Sequence, residues 1–188
     1  TADGIKHNKQ AALEAAIFEV LPGAVTRQTF AVEDAGPRPL GPEEEVLNRV
    51  FAGYDAQGEL VGLAIEAAGQ GYQDVVRILY GYSPDEDKVI GYKLLESKET
   101  PGLGDRIGKD EAFLANFAGL DMALTADGQA LANPVTFVKQ GQKNNPWEID
   151  GISGATISSK AVTNMLNTRS AEVVPYLKQH ADVLRSKP

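Results

Sequence analysis

The chain has 188 residues, 43% hydrophobic and 23% charged, a composition of folded globular domains that excludes a fibrous or wholly disordered chain. Its 26 Asp and Glu outnumber 18 Lys and Arg, leaving a formal charge of −8 with the basic residues scattered, which argues against nucleic-acid binding. There is no cysteine, so disulfides, thiolate catalysis, cysteine-built zinc sites and cysteine-ligated iron–sulfur clusters are excluded within the chain.

In chain order, the first strong pattern is a helix. Ala11, Ala12, Leu13, Ala15, Ala16, Ile17 and Val20 favour helix, and Leu21-Pro22-Gly23 stops it. The proline-rich stretch from Glu33 to Pro42 reads as a loop. Gly41-Pro42-Glu43-Glu44-Glu45 then looks like a helix start, with proline at the first position and carboxylates suited to the dipole. Val46, Leu47, Val50, Phe51 and Tyr54 recur at helical spacing, so a second helix with one buried face is expected.

The middle reads as sheet. Leu60 to Ala67, Val75 to Tyr82 and Lys88 to Leu95 are rich in Val, Ile, Leu and Tyr, and turn residues bound each run. The intervals between them are too short for crossover helices, which predicts antiparallel pairing. A short helix is expected over Asp110 to Phe117 and a strand over Val135 to Lys139. Helical structure is expected from Ser158 to the end, with Pro175 marking a bend or boundary. The whole reads as one α+β domain over residues 1–188, a mainly antiparallel sheet flanked by helices.

Several motifs fail on spacing. Gly69-Gln70-Gly71 and Gly102-Leu103-Gly104 each lack the third glycine of a dinucleotide fingerprint, because Asp74 and Ile107 stand there. Gly104 to Lys109 has the wrong length for a P-loop. Gly151-Ile152-Ser153-Gly154-Ala155 lacks the final glycine of a nucleophile elbow, and Asn144 to Glu148 before it is not a core strand. His7 and His180 stand near opposite ends in polar surroundings and read as surface residues.

The informative stretch is Asp150-Gly151-Ile152-Ser153-Gly154-Ala155-Thr156-Ile157-Ser158-Ser159. Small residues and hydroxyls run straight into a helical pattern. Such a loop offers free backbone N–H groups and hydroxyls at a helix N-terminus, a natural seat for phosphate. The same residues also suit a plain N-cap, with Thr156 or Ser158 satisfying the helix's first N–H groups.

Three motifs in order carry a resemblance: Gly69-Gln70-Gly71-Tyr72 before a strand, Glu99-Thr100-Pro101-Gly102-Leu103-Gly104, and Ser153-Gly154-Ala155-Thr156 after Asp150. Together, over about residues 10–170, they resemble the FMN-binding domain family. That family includes the G subunit of Rnf electron-transport complexes, which this chain resembles most, and the related C subunit of the sodium-pumping NADH:quinone reductase. The resemblance implies FMN joined through a phosphoester to Thr156 by a separate flavin transferase, which takes FMN from FAD with magnesium. It implies a cofactor site of Thr156 with Ser153, Gly154, Ala155, Ser158 and Ser159. To these it adds the turn Glu99, Thr100, Pro101, Gly102, Leu103 and Gly104. Tyr72, Phe137 and Trp147 read as core.

The function so implied is electron relay inside an ion-translocating membrane complex, with membrane-embedded redox subunits as partners. The rival reading is a non-redox binding module of the same fold. Family members of this kind stand on the extracytoplasmic side of the membrane, held by one N-terminal helix. The chain has no apolar run near the roughly 18 residues that cross a bilayer. It opens on Thr1 and a polar stretch, Asp3 to Gln10, so an anchor ahead of Thr1 is expected.

Overall fold

The structure is a computed structural model that describes residues 2–187. Its centre is a seven-stranded sheet in the order β2-β1-β3-β4-β5-β6-β7, every neighbour antiparallel. The strands are β1 (Thr26–Ala31), β2 (Arg38–Pro39), β3 (Arg49–Tyr54), β4 (Leu60–Gln70), β5 (Val75–Ser83), β6 (Lys88–Glu96) and β7 (Leu120–Asp121). The three runs between Leu60 and Leu95 are therefore the meander β4-β5-β6, as their spacing requires.

Alternation along the strands sorts side chains into two cores. Val50, Ala52 and Tyr54 of β3, Leu63 and Ile65 of β4, and Val76, Ile78, Tyr80 and Tyr82 of β5 face one side. Phe51, Ala64 and Leu79, the residues between them, face the other. The first face is covered by the long helix α3 (Thr156–Gln179), which buries Val162, Met165, Leu166, Val173, Val174 and Leu177. The second is covered by the end of α1 (Ala2–Val20), through Ala16, Ile17 and Val20.

The last turn of α1 sits in a slot cut by glycines on four neighbouring strands. A Cβ on Gly91 would lie 2.5 Å from the Val20 carbonyl oxygen, and one on Gly53 would lie 2.6 Å from Leu21 Cδ1. Gly62 and Gly81 lie under the other Leu21 methyl. Residues 2–12 of the same helix are exposed, so Asp3 to Gln10 is helix, continuous with the part that packs.

Two expectations are corrected. Pro42 to Tyr54 is not a helix: residues 41–48 are turns and irregular backbone, and Arg49–Tyr54 is strand β3. Val50, Phe51, Ala52 and Tyr54 are all buried, and such an unbroken apolar run fits a strand covered on both faces as well as a helix. Pairing with β1 and β4 decides it. Leu47, expected in a buried face, is fully exposed. Nor does Pro175 break the chain: α3 runs through it to Gln179. The carbonyl that loses its partner belongs to Ala171, which is exposed and reachable by water.

The rest of the chain lies beyond β6. A 3-10 turn over Gly104–Gly108 leads to α2 (Glu111–Ala115), capped by Asp110, whose side chain accepts from Phe113 N. β8 (Thr136–Val138) and β9 (Glu148–Asp150) form a separate parallel pair. A short α4 (Ala181–Arg185) closes the chain. β9, which the sequence pattern does not announce, begins at Glu148 and runs directly into the Ser-Gly-Ala-Thr loop, while residues 144–147 before it are loop and turn, as expected.

Candidate functional site

The loop from Asp150 to Ala155 joins β9 to α3, and most polar groups of its backbone are tied. Asn116, 5% exposed, grips Asp150 from both sides. Its Nδ2 donates to the Asp150 carbonyl at 3.0 Å and its Oδ1 accepts from the Asp150 N–H at 3.0 Å. Gly151 N–H goes to Val138 O and Ala155 N–H to Ile152 O. Ser153 is held at both ends: its N–H donates to Gln140 Oε1 at 2.8 Å, and its carbonyl accepts from Arg106 Nη1 at 2.9 Å. Gly154 turns the chain at φ +85°, a conformation a side chain would strain.

Ser159 works beneath the loop. Its hydroxyl donates to the Ala155 carbonyl at 2.8 Å and accepts the Ile152 N–H at 3.1 Å. The loop is thus held by its own neighbours rather than by a ligand.

Beyond the loop, the end of the helix is open. α3 has 24 residues, yet its N-cap is Ala155, no side chain caps it, and its first turn holds no acidic residue. The simple cap reading of Thr156 and Ser158 is therefore not what forms. The N–H groups of the first turn carry the partial positive charge of a long helix, ready for an anion. Thr156 is the first residue of the helix and is exposed.

The second motif meets this helix end. A cavity of about 400 Å³ is lined by Tyr72, Glu99, Thr100, Leu103 and Gly104 on one side and by Gly154, Ala155, Thr156, Ile157 and Ser158 on the other. This is within the size range of small-molecule sites, roughly 300–1,000 Å³. The approach is close because Gly104 has no side chain: a Cβ there would stand 2.7 Å from Glu99 Cβ and 2.9 Å from Ser158 Oγ.

Glu99 is 5% exposed and its carboxylate is spent on the third motif. It accepts from Tyr72 N at 2.7 Å and from Gln73 N at 3.2 Å. Gln73 Nε2 donates to Thr100 Oγ1 at 2.9 Å. The Gly71-Tyr72-Gln73 turn is therefore bound to the strand end that carries the Glu99 motif.

Of the expected site residues, Thr156, Gly154, Ala155, Ser158, Glu99, Thr100, Leu103 and Gly104 line the cavity. Ser153, Pro101, Gly102 and Ser159 do not: Ser153 supports the loop through its backbone, Pro101 and Gly102 form the exposed back of the turn, and Ser159 faces inward. Tyr72 is corrected from core to wall, being 66% exposed. Sequence reasoning missed Ile157, an apolar residue left 54% exposed at the second helical position. It also missed Arg106, Gln140 and Asn116. No short motif contains these three, because each acts on the loop from a distant segment.

A tied loop, an uncapped helix end, an exposed threonine and a largely apolar cavity wall meet at one place, and suit a ligand with an anionic end and an apolar body. Comparison with known proteins gives the family. Residues 71–169 match the FMN-binding domain family, and this chain belongs to that family. It is 33% identical over 118 residues to the G subunit of the ion-translocating oxidoreductase complex of Methanosarcina acetivorans, covering 63% of this chain and 54% of that protein. It is 32% identical over 153 residues to the G subunit of the Na(+)-translocating ferredoxin:NAD(+) oxidoreductase complex of Acetobacterium woodii, covering 79% of this chain and 68% of that protein. The chain thus spans about half to two thirds of the length of these relatives. The fold is that of NqrC from Shewanella oneidensis, with a TM-score of 0.69, 16% identity, 96% of this chain and all of that one covered.

Proposed function

We propose that this chain is the FMN-bearing electron-transfer subunit of an ion-translocating membrane redox complex, with FMN joined to Thr156 through a phosphoester. The observation that carries the reading is the exposed Thr156 hydroxyl at the uncapped N-terminus of α3, opening into the cavity that the other two motifs complete. Two relatives named as G subunits of ion-translocating complexes supply the assembly.

The residues present suit the group. The N–H groups of the first turn of α3 take the phosphate, and the helix end offsets its charge. Leu103, Ile157 and Tyr72 offer apolar surface to a ring, and Thr100 and Ser158 offer hydroxyls to polar atoms. Bound there, FMN supplies redox chemistry in one- or two-electron steps, linking a pair donor to single-electron carriers.

Attachment asks little of this chain. The Thr156 oxygen bonds to the FMN phosphorus of FAD, the pyrophosphate bond breaks, AMP leaves, and the threonine proton passes to a base on a flavin transferase that also holds magnesium. Gly154 and Ala155 keep the hydroxyl clear of side chains. The subunit works on the extracytoplasmic side of the membrane, tethered by a helix ahead of α1, and meets membrane-embedded redox subunits.

Co-expression with a flavin transferase tests the reading. Intact mass rises by one FMN less one water, and Thr156→Ala abolishes the gain. Persistence of the gain in that variant would move the attachment to Ser153, since Ser158 and Ser159 are buried. No gain in the parent protein would leave a non-redox binding module as the description.

A further inference from the structure

Tyr72 combines two properties that rarely meet. The residue is 66% exposed, and among the described residues it is the sole aromatic one lining the cavity. An exposed tyrosine usually sits on a loose loop, but the turn that carries this one is fastened at several points. The Glu99 carboxylate accepts the N–H groups of both Tyr72 and Gln73. The Gln73 side chain bonds Thr100, the Gly71 N–H donates to the Asp74 carbonyl, and Lys98 pairs with Asp74 at 3.5 Å.

A buried carboxylate spent on two amides is a costly device for a surface turn. It makes sense where the position of the residue matters. Gly71 allows it, because any Cβ there would collide with the Glu99 carboxylate. The backbone of the turn is thus built around Glu99, which sets where the Tyr72 side chain leaves the chain at the mouth of the cavity, its ring unused by the rest of the protein. Holding the backbone in advance lowers the cost of ordering the residue on binding.

We propose that Tyr72 is the aromatic wall that stacks on the flavin ring, and that Glu99 is the positioning residue that holds it there. The inference rests on the reading that Thr156 carries FMN. Aromatic rings favour offset contact at close range, and tyrosine or tryptophan in such contact quenches flavin emission, which phenylalanine does far less.

The test uses the full chain flavinylated by co-expression, with Tyr72→Ala, Tyr72→Phe and Tyr72→Trp beside the parent. Intact mass is read first. Flavin fluorescence is then measured native and unfolded, with visible circular dichroism of the flavin bands. The parent is expected to be dim when native and to brighten severalfold on unfolding. Tyr72→Ala brightens the native state and flattens the dichroism. Tyr72→Phe brightens it but keeps the dichroism, and Tyr72→Trp restores quenching. Glu99→Gln keeps one acceptor oxygen and turns an NH2 donor toward the other N–H, and is expected to brighten the native state partway with Tyr72 still present.

Normal mass gain with quenching and dichroism unchanged in Tyr72→Ala overturns the assignment of Tyr72 and leaves the FMN reading intact. Absence of mass gain in the parent sinks the FMN reading, and this inference with it.

Discussion

Arg106 reaches from the 3-10 turn behind Gly104 to the carbonyl oxygen of Ser153, donating through Nη1 at 2.9 Å, while its Nη2 holds Asp110 at 3.0 Å. One guanidinium thus fixes the distance between the two walls of the cavity. Arg106→Ala is expected to cost about 1 kcal/mol of stability and to slow flavin transfer to Thr156, because the loop must then be ordered at each encounter. Arg106→Lys, with a single point of donation, falls between. Denaturant melts and the time course of intact mass measure both, and an unchanged transfer rate in Arg106→Ala would count against the clamp.

Gly104→Ala strikes the contact between the motifs directly. The added methyl meets Glu99 Cβ at 2.7 Å and Ser158 Oγ at 2.9 Å, neither of which is the loose end of a long side chain. A loss of about 1–3 kcal/mol is expected from overpacking, together with a failure to hold flavin rigidly. Steady-state anisotropy of the flavinylated variant should fall; a value equal to the parent's would show that the walls separate without consequence.

Alkaline pH acts through buried phenols. Burial pushes the Tyr54 hydroxyl up to about 12, while it donates to the Leu184 carbonyl at 2.6 Å. Burial raises Tyr80, Tyr82 and Tyr92 as well, with Ser170 opposing it at Tyr80 and Asp87 adding to it at Tyr82. Among the described residues the Tyr82 hydroxyl has no hydrogen-bond partner. A phenol favoured in its neutral form stabilises the fold fully below the unfolded value of about 10 and loses that contribution as pH rises through the folded value. Stability should therefore be flat in this respect up to about pH 10 and fall steeply above it. Tyr54→Phe, which has no proton to lose, should fall less steeply. Parallel tyrosinate absorbance and melting curves decide it.

Membrane attachment is checked on the native protein. Among the described residues no helix is long and apolar enough to cross a bilayer. A domain with a formal charge of −8 gains nothing from an anionic surface. Neither feature holds the domain itself to a membrane, so under the proposed function attachment comes from the tether, and the native protein is expected to sediment with membranes, resist a high-salt wash, and be released by detergent. Added protease should cut it from the extracytoplasmic side of spheroplasts. Recovery in the soluble fraction would make it a free flavin carrier.

The meander and the site were legible for different reasons. Leu60 to Leu95 declares itself because each strand is long and bounded by turn residues. β1, β2 and β3 did not, since short or doubly covered strands lack the period that marks a half-buried one, and only pairing fixes them. Within the site, Thr156 and Leu103 are readable because they belong to contiguous motifs. Arg106, Gln140 and Asn116 are ordinary polar residues until the fold brings their side chains against the backbone of residues 150–153. Tyr72 was misplaced for a related reason: an aromatic residue beside a strand reads as core, and nothing in its neighbours reveals that Glu99 is turning it outward.

The glycine slot under Val20 and Leu21 gives the domain a bearing. With the Val20 carbonyl lodged above Gly91 and the Leu21 methyls against Gly53, Gly62 and Gly81, the end of α1 has nowhere to slide or pivot. Glu19 to Lys93 at 3.4 Å, Glu14 to Arg27, and Lys9 to Glu96 at 3.5 Å guy its flank to the sheet. The exposed first turns of that helix therefore leave the sheet in one set direction rather than on a loose tether. Under the proposed function, that direction sets the heading of the Thr156 cavity toward its redox partners.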